Sequence, residues 1–214
     1  MKKDYLLTEA KILILDIHYP YQEMLKEAIN LSKRFIPYRD GESAGWESLT
    51  LYGLGEDKTS NFFEYGYTVE DDAVDDYHWT DAAYESPVTM DFLKNHFPSK
   101  MLSRTRFMKL KAGGFIGPHS DADRPIIDNI NLVLNNPKGC VWKWGDGAEV
   151  SMVPGITYGM NTHYIHSIEN NSDEDRYHLI VQRLDSTPEW QSILKNALSK
   201  ENHKGQYFTH NTLS

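Results

Sequence analysis

The stretch that decides the fold is NINLVLNNPKGCVWKWGDGAEVSMV, residues 129–153. Three apolar or alternating runs, at 129–134, 140–144 and 149–153, are separated by turn-forming clusters at 135–139 and 145–147. Clusters of Asn, Pro, Asp and Gly supply the backbone conformations that reverse a chain. The stretch therefore predicts consecutive short β-strands joined by tight turns.

The same rhythm continues on both sides, across residues 104–183. Further strand-like runs lie at 105–110, 157–161, 166–169 and 177–182, with turn signals at 113–114, 154–155 and 170–171. Many short strands at close spacing favour a small β-sandwich or jelly roll.

The flanking segments have a different character. Apolar residues at helical spacing predict helices over 21–35, 88–97 and 190–198, each behind a proline, and 46–52 is strand-like. We expect one domain, 1–214, in which 1–100 supports the core, 101–184 is the β core and 185–214 is a helix and tail. Loops and short elements are expected over 53–84, and 53–85 is a candidate lid.

Composition excludes several classes of protein. The chain has 22 Lys+Arg against 31 Asp+Glu, a net charge of −9, which gives no basic footprint for nucleic acid or an anionic membrane surface. The single cysteine excludes an internal disulfide framework and a cysteine-based zinc site. No apolar segment approaches the roughly 18 residues that a membrane span requires. We expect a cytoplasmic protein without a nucleic-acid or membrane partner.

Metal-ligating residue types stand at a spacing that suits one ion. His119 and Asp121 lie at i and i+2, so in an extended segment their side chains share a face. With His166 as a third ligand they would form the two-His, one-carboxylate set of non-haem iron(II) oxygenases. A lone His-x-Asp pair is common on protein surfaces, and His163 is an alternative third ligand.

Arg176 stands ten residues after His166 and opens the largely apolar run 177–181. A guanidinium carried inward by such a strand requires an anion, and a carboxylate can accept two parallel hydrogen bonds from it. An acid from the neighbouring run 173–175 or a dicarboxylic ligand would satisfy this need. The interval from His166 favours the ligand.

Together these residues resemble the aspartyl/asparaginyl β-hydroxylase family of 2-oxoglutarate oxygenases, strongly over about 80 residues and loosely over the first hundred. The matching residues are Gly113, Pro118-His119-Ser120-Asp121, Asn161-Thr162, His166-Ser167, Asn170 and Asp173-Glu174-Asp175-Arg176-Tyr177-His178-Leu179.

The resemblance implies a mainly β fold with flanking helices, a double-stranded β-helix or distorted, cupin-like jelly roll. It also implies that His119, Asp121 and His166 bind Fe(II) and that Arg176 binds the distal carboxylate of 2-oxoglutarate. With O2, such an enzyme hydroxylates a free amino acid or an Asp or Asn side chain in a peptide and releases succinate and CO2.

Substrate contacts are less well defined. Relatives often carry Arg-x-His where this chain has Ile127-Asp128-Asn129, and Asn129 could donate to a carboxylate of 2-oxoglutarate instead. The candidates for contacting substrate are Arg104, Arg106, Arg124 and Trp142, although a large aromatic such as Trp142 also suits a core.

Two other classes of function are compatible with parts of the pattern. The first is a non-catalytic, cupin-like jelly roll that binds a ligand in the same cleft. The second is a zinc hydrolase, but the chain has no His-Glu-x-x-His sequence to supply its general base. Iron-dependent turnover of 2-oxoglutarate separates the oxygenase from both.

Overall fold

The computed structural model describes residues 8–38, 43–127, 129–185 and 187–204, and its main feature is a curled antiparallel sheet. The strands are β1 Ile12–Leu15, β2 Ile36–Pro37, β3 Ser43–Gly53, β4 His78–Trp79, β5 Leu102–His119, β6 Asn129–Val133, β7 Cys140–Trp144, β8 Glu149–Val150, β9 Thr157–Met160, β10 His166–Asn170 and β11 Arg176–Arg183. The helices are α1 Tyr21–Asn30, α2 Glu70–Val74, α3 Asp81–Tyr84, α4 Pro87–Asp91 and α5 Pro188–Lys204.

Strand order confirms the mainly β, jelly-roll fold with flanking helices. The order is β1-β9-β6-β11-β5-β10-β7-β8, β3 lies beside β5, and β2 and β4 pair with β3. The first part of β5, up to Leu110, pairs with β11, and its last part, from Phe115 to His119, pairs with β10. A single long strand therefore joins the two halves of the sheet.

Gly113 and Gly114 mark a bend inside β5, so the turn expected at 113–114 was wrong. Gly113 has a φ of 70°, and a Cβ at Gly114 would lie 2.8 Å from the carbonyl oxygen of Ala44 on β3. The register between β3 and β5 also shifts next to Ala44. The glycines thus allow an irregularity that redirects the strand without ending its pairing.

Two apolar cores lie on opposite faces of the sheet. The inner core combines residues of both halves, including Leu110, Trp142 and Tyr158, so the halves face each other across it. The outer core lies between the sheet and the helices and contains Tyr177, Leu179 and Val181 of β11, together with Trp190 of α5. Because side chains alternate along a strand, Arg176 and His178 belong to the inner face.

The helices agree with the predicted positions but differ in extent. The first ends at Asn30 rather than 35, continues as a 3-10 turn at Ser32–Arg34 and gives way to β2, which pairs with β3. The second continues from α4 into a π-helical turn at Phe92–His96. The third, α5, runs from Pro188 to Lys204 and is therefore longer than predicted at both ends. Of the predicted tail, 205–214 lies outside the described residues, as does Asp128.

Between β3 and β5 the chain forms short elements, as expected: a 3-10 turn at Phe62–Tyr65, then α2, β4 and α3. The carbonyl oxygen of Thr59 accepts hydrogen bonds from Arg104 at 3.2 Å and from Arg106 at 2.7 Å. This segment therefore covers the end of the inner face at which β5 begins. No helix in the described part of the chain has the length and apolar character to span a membrane.

Candidate metal centre

His119, Asp121 and His166 come together at the edge where β5 ends and β10 begins. The two histidines are directly paired across these antiparallel strands, and their ring centroids are 4.3 Å apart. Oδ2 of Asp121 lies 3.7 Å from Nε2 of His119 and 3.8 Å from Nε2 of His166. One ligand atom from each residue lies within 4.8 Å of the other two, so a single ion can contact all three.

Backbone carbonyls orient both imidazoles. Nδ1 of His119 lies 2.9 Å from the carbonyl oxygen of Gly117, and Nδ1 of His166 lies 2.9 Å from that of Tyr164. Because a carbonyl only accepts, each Nδ1 carries the hydrogen and each Nε2 carries the lone pair. The two Nε2 atoms are the ones that face Asp121. This arrangement prepares both rings to bind a metal through Nε2.

Asp121 is held by the loop that precedes β10. Its backbone N–H donates to the carbonyl of Thr162 at 2.9 Å, and the hydroxyl of Ser120 donates to the carbonyl of His163 at 2.9 Å. Nδ1 of His163 bonds the carbonyl of Ala122 at 3.0 Å. Among the described residues, the structure groups His166 rather than His163 with the other two potential ligands.

Tryptophans enclose the deep side of the centre. His166 has 2% of its side chain exposed, and Trp142 stacks on its ring with centroids 4.6 Å apart and planes 7° apart. Trp144 meets the same ring edge-on at 6.1 Å, and Trp46 lies 5.9 Å from the ring of His119. His119 and Asp121 each keep 23% of the side chain exposed, so the centre opens on their side.

Arg176 is a buried cation that contacts no acid in the described part of the chain. The residue is 5% exposed, its Nη2 donates to Nδ1 of His178 at 2.9 Å and approaches Sδ of Met152 at 3.8 Å, and its Nε has no partner. The salt bridge to 173–175 does not form, and Asp175 instead accepts from the N–H of Ala112 at 2.9 Å. Burial lowers the pKa of Arg176 to about 10, so the group stays charged at neutral pH.

His178 is the neutral neighbour of this cation. Since arginine only donates, Nδ1 of His178 accepts and its hydrogen lies on Nε2, which is buried without a partner. Burial, and then the charge of Arg176, hold the pKa of His178 well below its usual value. The sequence signal for this contact is the i+2 spacing of Arg176 and His178 on a strand, which places both side chains on one face.

Comparison with known proteins supplies the family. The sequence profile described as Aspartyl/Asparaginyl beta-hydroxylase matches residues 16–185, most of the chain. The chain belongs to this family. The resemblance drawn from the motifs around His119 and Arg176 is therefore confirmed.

Among solved structures, a prolyl-4-hydroxylase from Pseudomonas putida is similar at 12% identity and a TM-score of 0.45, covering 84% of this chain and 95% of that one. A prolyl hydroxylase from Trichoplax adhaerens, solved with a hypoxia inducible factor peptide fragment, is similar at 11% identity and a TM-score of 0.47, covering 86% and 87%. No curated protein matches the sequence.

The other predicted contact residues of this family member lie at different depths. Asn129 is half-buried, and its Nδ2 lies 3.4 Å from the hydroxyl of Thr162, next to the loop that holds Asp121. Arg104 is half-buried, and besides the carbonyl of Thr59 it bonds Gln182 at 3.3 Å. Arg124 lies exposed on the loop after the ligands. None of these three is fully buried. Asn129 and Arg124 lie near the loops of the centre, whereas Arg104 lies at the start of β5, whose last residue is His119.

Arg106 is deeper, and a residue that sequence reasoning missed connects it to the centre. It is 3% exposed, and its guanidinium carbon lies 4.9 Å above the ring of Tyr38. The ring of Tyr38 in turn lies 4.6 Å from that of Trp46, which contacts His119. No local pattern singled out Tyr38, because its contacts depend on how β3 lies against β5.

Proposed function

We propose that the protein is an Fe(II)- and 2-oxoglutarate-dependent dioxygenase that hydroxylates an amino acid, or an Asp or Asn side chain in a peptide, with succinate and CO2 as co-products. One observation carries the proposal. Arg176 is buried without a contact to any described carboxylate, on the inner face that also bears His119, Asp121 and His166. The three potential metal ligands alone would fit several kinds of metal-dependent reaction. A set of metal ligands on the same face as a guanidinium that lacks an anion fits a dicarboxylic co-substrate.

The donor set suits iron(II). Two imidazole nitrogens and one carboxylate oxygen are the facial triad of non-haem iron oxygenases, which leaves coordination positions for a 2-oxo acid and O2. The Nδ1 contacts to the carbonyls of Gly117 and Tyr164 support Nε2 ligation by both histidines. When bound, iron supplies the activation of O2 that couples decarboxylation of 2-oxoglutarate to hydroxylation of the substrate.

Side chains of the protein bind 2-oxoglutarate and exclude water from the site. Arg176 binds the distal carboxylate through charge-assisted hydrogen bonds, which also supply the countercharge that its buried position lacks. Trp142 and Trp144 exclude water from the deep side and strengthen these electrostatic contacts. Asn129, near the Asp121 loop, is a second candidate donor to 2-oxoglutarate.

The substrate is proposed to approach from the side where His119 and Asp121 are exposed. Arg106 is the strongest candidate for contacting a substrate carboxylate, because it is buried and contacts no acid among the described residues. Arg104 already bonds Gln182 and Thr59, and Arg124 would reach only an extended substrate such as a peptide. A free amino acid and a peptide both remain within this proposal.

The test is release of succinate from 2-oxoglutarate by protein reconstituted with Fe(II), screened against free amino acids and against Asp- and Asn-containing peptides. We expect substrate-stimulated, iron-dependent succinate release that Arg176→Met abolishes. Binding of 2-oxoglutarate without release of succinate under every condition would instead favour the non-catalytic jelly roll.

A further inference from the structure

The inner face contains several buried hydrogen-bond donors without acceptors. Within the described chain, the atoms on this face that are buried without a partner are Nε of Arg106, Nε1 of Trp142, Nε of Arg176, Nε2 of His178 and the hydroxyl of Ser48. Each can donate, and a buried donor without an acceptor is unfavourable. A face that concentrates hydrogen-bond donors in this way indicates a ligand with many hydrogen-bond acceptors and few donors.

Trp142 lies between the metal ligands and Arg176, the two places where such a ligand would be bound. On β7 the inward residues are Cys140, Trp142 and Trp144. The Cys140 end of β7 lies toward Arg176: Asn170, which pairs with Cys140, donates to the carbonyl of Leu110, and Leu110 pairs with Arg176. At the other end, Trp144 is paired with His166. Trp142 is the residue between them, so a molecule that reaches from the metal ligands to Arg176 passes its indole.

The indole has a fixed orientation. It is 6% exposed and lies parallel to the ring of His166 at 4.6 Å, so rotating it would break this stack. A buried tryptophan N–H normally has a partner, and phenylalanine would fill an apolar core without leaving a donor unsatisfied. Core filling therefore explains the ring of Trp142 but not its Nε1–H.

We infer that the Nε1–H of Trp142 donates a hydrogen bond to the distal carboxylate of a bound 2-oxo dicarboxylic acid, next to Arg176. The inference rests on the proposed function and adds to it a binding residue on a strand that carries no metal ligand. A carboxylate has about four lone-pair positions, so it can accept from Trp142 and from the guanidinium together. Selectivity for a dicarboxylic over a monocarboxylic 2-oxo acid then depends on both residues.

The test measures binding rather than turnover, with Zn(II) in place of iron. We expect Trp142→Phe to raise the dissociation constant of 2-oxoglutarate about tenfold, as loss of one hydrogen bond to a charged group requires. The same variant should leave binding of 2-oxopentanoate, which lacks the distal carboxylate, unchanged. Trp190→Phe is the matched control, because Nε1 of Trp190 is also buried without a partner but lies in the outer core.

The outcomes separate the inference from the function on which it rests. Parent protein that prefers 2-oxoglutarate, together with a Trp142→Phe variant that binds it equally well, would overturn the inference alone. An equal loss for both acids would also overturn it, since that result indicates distortion of His166. Parent protein that binds neither acid would overturn the proposed function as well.

A second measurement does not depend on the folding of Trp142→Phe. The chain has five tryptophans, and their indole N–H signals can be assigned by NMR through Phe variants of the other four. In the Zn(II) protein, 2-oxoglutarate should move the Trp142 proton downfield and 2-oxopentanoate should not. A Trp142 signal that 2-oxoglutarate leaves in place would contradict the hydrogen bond.

Discussion

Arg176 and His178 are joined by a hydrogen bond of 2.9 Å from Nη2 to Nδ1, two positions apart on the inner face of β11. A neutral imidazole thus orients a buried cation without neutralising it. Because the described residues place no carboxylate against Arg176, its charge is left to be balanced by a ligand. This relationship gives opposite expectations for stability and for ligand binding.

Replacing Arg176 by Met should weaken ligand binding without weakening the fold. Loss of charge-assisted bonds should reduce affinity for 2-oxoglutarate about a hundredfold. The free energy of unfolding should stay the same or rise by about 1–3 kcal/mol, because an uncompensated buried charge is removed. Urea denaturation and calorimetric titration measure the two effects. The control is Arg183→Met, which should lose stability but not affinity, since Arg183 lies 4.2 Å above the outer-core ring of Trp190.

His178 should make the protein less stable in mild acid. Its pKa is lowered in the folded state, so below its ordinary value of about 6.5 the unfolded chain binds a proton that the folded chain does not. Its contribution is therefore complete above about pH 6.5 and is lost as the pH falls, by at most about 1.4 kcal/mol per pH unit. His178→Gln, which keeps an acceptor for Arg176, should flatten this slope in urea midpoints measured between about pH 7.5 and 5.5. Parallel slopes in parent and variant would contradict a neutral, buried His178.

The family and the mainly β fold class were predictable because the motifs, strands and turns depend on local pattern. The turn signals around 135–147 predicted the short β-strands, and the spacing of His119, Asp121, His166 and Arg176 supported the family. What the sequence could not provide depends on pairing between distant strands. Tyr38 reaches Arg106 only because β3 lies beside β5, and the absence of an acid at Arg176 is a property of packing. The glycines at 113–114 were misread because a turn and a bulge require the same residue.

Metal binding should depend on His166 and not on His163. Chelation with EDTA should abolish iron-dependent turnover, and added Fe(II) should restore it. Free metal at a concentration about 100 times its dissociation constant should raise the unfolding free energy of the parent by about 2.7 kcal/mol. His166→Ala should lose this stabilisation, whereas His163→Ala, three residues away, should retain it. Thermal denaturation with and without metal measures both. Loss of the stabilisation in His163→Ala would contradict the assignment of His166, rather than His163, as the third ligand.

Gly114→Ala should damage the metal centre through the backbone, although Gly114 touches no ligand. The added Cβ would meet the carbonyl oxygens of Ala44 at 2.8 Å and of Lys111 at 2.9 Å, so β5 must shift at its bend, and His119 lies at the end of that strand. We expect a loss of more than about 2 kcal/mol in unfolding free energy and weaker metal binding. Gly147→Ala is the control, since its φ of 87° is strained but no atom lies within 4 Å of the added Cβ. It should lose only about 1 kcal/mol and keep full metal affinity. If both variants bind metal alike, the bend in β5 does not position His119.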